Sequence, residues 1–78
     1  SLSKEKTSAY IDHRIRMARA TEKVFQQEAK DLIHDYTDGV PRQINNVATA
    51  CLINAAARGL TQITESLVNE TMAEFSLP

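Results

Sequence analysis

The chain has little of what usually staples or interrupts a small fold. Cys51 is its one cysteine among 78 residues, so no internal disulfide can form and nothing points to an oxidising compartment. Tryptophan is absent, and Tyr10, Phe25, Tyr36 and Phe75 are the whole aromatic complement, which leaves an aliphatic, alanine-rich core. Two glycines and two prolines permit few tight turns, which disfavours a sandwich of short strands and favours helices. No apolar run approaches the roughly 20 residues of a membrane span, so no membrane insertion by this segment is expected. No secretory leader pattern is visible. The first residue is Ser, which reads as a processed or excised chain. Residues 1–3 are taken as linker or extraneous sequence, with one helical domain over 4–78.

Catalytic signatures are equally scarce. The G-x-x-x-x-G-K-[ST] phosphate loop is missing, as is a G-x-S-x-G elbow. Cys51 lies within an apolar face and reads as a small core residue, not a nucleophile. His13 and His34 lack ligand spacing and a cysteine pair, so no metal site is expected. Asp31 and Asp35 stand four apart on what reads as a solvated acidic face. No catalytic residue is expected within these 78, and the isolated segment is not expected to be an enzyme.

Charge is nearly balanced overall at −1 but uneven along the chain. Residues 1–23 carry six bases and three acids, whereas residues 60–78 carry three acids and no base. Such polarity either steers a partner or lets the end helices attract each other.

What is present is helical patterning. The first segment, about Lys4 to Ala20, has Ser3 as N-cap and a stripe of Tyr10, Ile11, Ile15, Met17 and Ala18. Asp12 and Arg16 are placed for an i,i+4 surface pair. Thr21, Glu22 and Lys23 read as a connector. The second segment, about Gln26 to Thr37, places Phe25, Ala29, Leu32, Ile33 and Tyr36 on one face and Glu28, Lys30, Asp31 and Asp35 on the others. The third, about Pro41 to Arg58, presents Ile44, Val47, Ala48, Cys51, Leu52 and Ala55 to the core, with Arg42, Asn45, Asn46 and Thr49 on a separate polar face. The fourth follows Thr64 as N-cap, with Ile63 and Val68 set for a hydrophobic staple and Leu67, Val68, Met72 and Phe75 buried. Four capped helices with short connections predict an all-α fold, a compact four-helix bundle.

The stretch Gly39-Val40-Pro41-Arg42-Gln43-Ile44-Asn45-Asn46 organises this pattern. Gly39 can close one helix in the left-handed conformation, and Pro41 suits the first turn of the next, where its missing N–H costs nothing. Arg42 then opposes the positive end of the helix dipole. That placement is acceptable if Asp38 or Asp35 pairs with it, or if a ligand phosphate is drawn to the guanidinium and the helix N-terminus together.

Here a family likeness enters. Tyr10-Ile11-Asp12-His13-Arg14-Ile15, then Phe25 with Glu28-Ala29, then Gly39 to Asn46, together with Ala50 to Ala55, Gly59 and Ile63-Thr64, resemble the C-terminal lid of an AAA+ ATPase. The likeness is strongest to the branch containing general-secretion-pathway ATPases and the helper ATPases of bacterial DNA transposition. Its most specific piece is G-[IV]-P-R-x-I-N, and it spans about residues 4 to 75. The resemblance implies a lid following a nucleotide-binding α/β core, with Arg42 as the sensor-2 residue on ATP phosphates and Gly39 and Pro41 shaping its presentation. It further implies ATP and Mg in the parent protein, with neither bound by this segment alone, and a parent that hydrolyses ATP. The implied partners are the N-terminal ATPase core of the same chain, neighbouring ATPase subunits, a transposase or secretion protein, and DNA through the parent, in the cytoplasm. Both Walker motifs lie outside these residues.

Two other readings stand beside it. Arg16, Arg19 and Lys23 follow i, i+3, i+7 and would form one helical stripe, with Arg14 and His13 nearby, as phosphate contacts to nucleic acid require. The ordinary alternative is a solvated face offset by Asp12, Glu22 and the acidic fourth helix. A protein-docking module is the other reading, with Val24, Leu60 or Leu77 as exposed apolar contacts.

Overall fold

The computed structural model describes residues 1–75. Four helices, α1 (Lys4–Met17), α2 (Gln27–Thr37), α3 (Pro41–Ala57) and α4 (Glu65–Phe75), are joined by short connections. Two of these connections carry two-residue strands, β1 (Val24–Phe25) and β2 (Gln62–Ile63). The fold is the all-α bundle that the patterning predicts. α2 and α3 each pack against α1, against α4 and against one another.

Each helix start follows from local chemistry. Ser3 accepts from the Lys6 amide at 3.2 Å and begins α1. Thr64 Oγ1 accepts from the Leu67 amide at 3.1 Å and begins α4. Ile63 and Val68, both fully buried, close the staple across that cap. α1 and α3 end alike. The Ala20 amide donates to Ile15 O and Arg19 to Arg16 O, while Leu60 donates to Ala55 O and Gly59 to Ala56 O, the paired bonds of a Schellman stop.

Arg19, at φ 57°, takes the left-handed position in the first of these stops. α1 therefore ends at Met17, short of the expected Ala20, and Met17 (65% exposed) and Ala18 fall outside the apolar stripe. The buried line of α1 is Thr7, Ile11 and Ile15. Tyr36, expected on the apolar face of the second segment, is a second departure: it is 44% exposed, with its hydroxyl donating to Asn69 Oδ1 at 2.8 Å. Leu52 and Met72 are half-buried at the edge of the core. The Phe75 side chain and Leu77 lie outside the described residues.

Lys30 is also not where amphipathicity puts it. It is buried, and its ammonium reaches both carboxylate oxygens of Asp12, at 3.2 and 3.1 Å. Asp12 thus pairs across the α1–α2 interface, not with Arg16. A long aliphatic stem lets such a lysine fill apolar space while its head keeps a counter-charge. The end helices are not linked by ion pairs among the described residues. Lys4 pairs with Asp35 on α2, and Arg58 at the end of α3 pairs with Glu70 on α4.

The strands were not visible in the patterning. β1 and β2 run parallel, with Val24 opposite Gln62 and Phe25 opposite Ile63. Val24 N–H donates to Thr61 O at 2.8 Å and Gln26 N–H to Ile63 O at 3.0 Å. This short ladder ties the α1–α2 connection to the α3–α4 connection and turns Phe25 and Ile63 inward. Cys51 is fully buried on α3, and burial pushes its thiol up to about 11 although a bond with Thr71 works the other way.

Candidate functional site

The turn between α2 and α3 is built from two consecutive left-handed residues, Asp38 at φ 51° and Gly39 at φ 73°. Aspartate tolerates this region better than most residues, and glycine adopts it freely. A second constraint makes Gly39 irreplaceable here. A Cβ built on it would overlap the backbone of Leu2, its carbonyl oxygen above all. Leu2 passes this close because its amide donates to Gly39 O at 2.7 Å.

Beyond the glycine, Val40 is the N-cap of α3 in extended conformation and offers no side-chain acceptor. Pro41 occupies the first helical position, and no acidic residue stands in the first turn. Arg42 is exposed in that turn. The expected alternative, an ion pair with Asp35 or Asp38, is not formed. Asp35 instead faces Lys4 Nζ and His34 Nδ1, each at 3.6 Å, and no side-chain bond holds Arg42 among the described residues. This helix start therefore keeps its positive dipole end and adds a cation to it. An anion is the chemical species that such an arrangement attracts.

The rest of the polar face of α3 goes elsewhere. Asn45, Asn46 and Thr49, with Ile53 and Asn54, line an open groove of about 780 Å³ closed by Arg14 of α1 and by Thr71 and Glu74 of α4. Arg42 is not among its lining residues. Asn45 Oδ1 is buried and has no hydrogen-bond partner among the described residues, whereas Asn54 Nδ2 donates to Thr71 Oγ1 at 3.1 Å.

The basic residues expected to form one helical stripe do not share a helix. Because α1 stops at Met17, Arg19 and Lys23 lie beyond the helix, and the i, i+3, i+7 spacing makes no helical face. Arg16 and Lys23 border a shallower depression with Asp12, Val24, Phe25 and Lys30, while Arg14 borders the groove described above. The Lys23 ammonium donates to Leu60 O at 2.7 Å. Val24 and Leu60 are exposed, as the docking reading requires, but are single residues.

One participant escaped the sequence patterning. His34 Nε2 lies 3.0 Å from Leu2 O, and because a carbonyl can only accept, Nε2 must carry the proton. Its Nδ1 is buried without a hydrogen bond. Nothing in the periodicity marks this histidine, since its partner is a backbone atom 32 residues away.

No group of three or more His, Cys, Asp or Glu placed to hold a metal ion exists among the described residues. No helix among them is long and apolar enough to cross a membrane.

Comparison with known proteins gives one informative likeness. No family model matches the chain, and no solved structure matches it. The chain is similar to General secretion pathway protein A of Aeromonas hydrophila, at 31% identity over 75 residues. That alignment covers 96% of this chain but 14% of the relative, so the chain corresponds to a small part of that protein's length.

Proposed function

We propose that these residues form the helical lid of an AAA+ ATPase, in which Arg42 contacts the phosphates of ATP across a cleft shared with an ATPase core in the same parent chain. The observation that carries this reading is Arg42 itself: an exposed cation, unpaired among the described residues, on the first turn of a helix whose N-cap supplies no side-chain acceptor. The resemblance over the G-V-P-R-Q-I-N stretch and the likeness to a secretion-pathway protein along nearly the whole chain support it. They favour a secretion-type parent over a transposition helper.

The residues present fit one part of a nucleotide site. Arg42 suits a phosphate, to which a guanidinium can donate two parallel bonds. Nothing described here suits Mg, which in this reading is held by the ATPase core. ATP supplies the transferable phosphoryl group, and this chain's contribution is charge and position: Arg42 neutralises phosphate charge when the lid lies against the core.

The test is Arg42→Ala in the full-length parent. Loss of one charge-assisted contact is expected to weaken ATP affinity or turnover by roughly ten- to a hundredfold. Arg42→Lys should recover part of the loss, because the ammonium keeps the charge without the planar fork. Unchanged ATP affinity and hydrolysis in a folded Arg42→Ala parent would refute the assignment.

A further inference from the structure

Leu2 is held by its backbone on both sides, which is more than a linker needs. Its N–H donates to Gly39 O at 2.7 Å, and its C=O accepts from His34 Nε2 at 3.0 Å. Its side chain packs against the hydrophobic core. The contact is built into the turn, because the space that a Cβ of residue 39 would need is filled by Leu2. The Gly39 carbonyl that Leu2 grips belongs to the turn presenting Arg42, with only Val40 and Pro41 between them. Pro41 fixes its own φ, so little of a displacement at Gly39 can be absorbed there. Ser3, the next residue after Leu2, is itself fixed as the cap of α1.

We propose that residues 1–3 are a strap that couples the chain preceding them to the Arg42 turn, with His34 as its latch. This rests on the reading of Arg42 as a phosphate ligand, in which the ATPase core precedes residue 1. A shift of that preceding chain moves Leu2, and Leu2 moves the Gly39 carbonyl and with it the start of α3. Arg42 is then advanced toward or withdrawn from phosphate by the linker as well as by closure of the whole lid. His34 acts as a positioning residue, through its bond to Leu2 O.

The test uses the full-length chain, with amide exchange and ATP affinity read on the same samples and folding checked by thermal melting. His34→Leu removes the donor to Leu2 O, and Leu2→Pro independently removes the donor to Gly39 O. Each is expected to speed exchange of the Val40 and Ile44 amides and to weaken ATP binding roughly fivefold, the worth of about one net hydrogen bond. His34→Gln, whose amide can still donate, should restore both. In an Arg42→Ala background neither variant should weaken ATP further. If exchange quickens while ATP affinity stays at the parent value, the strap is only structural and the proposal falls, whereas a loss in Arg42→Ala alone leaves the Arg42 assignment standing. If Arg42→Ala itself changes nothing, both fall together. Unchanged exchange in both strap variants would overturn the coupling outright.

Discussion

The molecule uses a left-handed glycine twice, and the two turns are built to opposite ends. Gly59 closes α3 in a Schellman stop with nothing within 4 Å of where its Cβ would stand. The helix that follows is capped by Thr64 and stapled by Ile63 and Val68. Gly39 ends α2 with Leu2 pressed against it, and the helix that follows has neither a side-chain cap nor an acidic first turn. One turn satisfies its helix end for stability. The other leaves a helix end unsatisfied and adds Arg42 to it, although the positive dipole end makes that cation mildly unfavourable. Local rules are most often broken where a site is being made.

Substituting both glycines separates the two kinds of constraint. Gly39→Ala must accept both the strained φ and expulsion of the Leu2 strap, and is expected to cost about 2–4 kcal/mol in a urea melt. Gly59→Ala meets only the backbone preference and is expected to cost about 1 kcal/mol. Equal losses would show that the strap contributes nothing to the first turn.

Cys51, midway along α3, supplies a perturbation belonging to neither turn. Its folded pKa is raised by burial, so the neutral thiol is the form that the fold favours. The stability this represents is complete below the unfolded value of 9.0 and is lost as pH rises toward about 11. The loss is expected to reach roughly 2–3 kcal/mol, since each pKa unit is about 1.4 kcal/mol. The check is the urea midpoint of wild type and Cys51→Ala between pH 8 and 11. Tyrosines and lysines titrate in both, so the difference isolates the thiol. Parallel curves would mean that the thiol ionises as readily folded as unfolded.

The capped turn was legible in the sequence and the strapped turn only in part, for a physical reason. Thr64, Ile63 and Val68 interact within five residues, and Gly59 follows its helix directly, so spacing reveals them. The left-handed Gly39 and the Pro41 start were visible for the same reason. Leu2 was not, because its partners are His34 and Gly39, and backbone hydrogen bonds across the chain leave no residue-type signature. Lys30 and Asp12 pair between helices, whereas spacing offers Asp12 a nearer partner in Arg16 and puts Lys30 on an outer face of its own helix. The β1–β2 ladder is two residues long, too short to show alternation. Arg19 in a left-handed position hid the end of α1, since the usual glycine signal was missing. Of the candidate site, the sequence supplied Arg42 and its turn. The structure added the absence of a pairing partner for Arg42 among the described residues, and the contacts of Leu2 with Gly39 and His34.

The smallest expected change in stability is the most telling, because it should move fold and function in opposite directions. If α3 is left uncapped so that phosphate can approach, supplying a cap should help the fold. Val40→Ser gives the N-cap a neutral oxygen acceptor, and is expected to stabilise the 78-residue chain by about 0.5–1 kcal/mol after the loss of some apolar packing. Val40→Asp should stabilise it by a similar amount, since a carboxylate both caps and complements the dipole. In the full-length chain the two variants should part. A second anion beside the phosphate raises its electrostatic energy, and Val40→Asp is expected to weaken ATP binding roughly three- to tenfold more than Val40→Ser, less so at high salt. Thr64→Ala provides the mirror control: it removes an existing cap, should cost about 1 kcal/mol, and should leave ATP affinity alone. The measurements are urea midpoints for the short chain and ATP titrations for the long one. Were Val40→Asp and Val40→Ser to bind ATP equally well while both stabilise the lid, the uncapped end of α3 would be an ordinary imperfection and no phosphate would come near it.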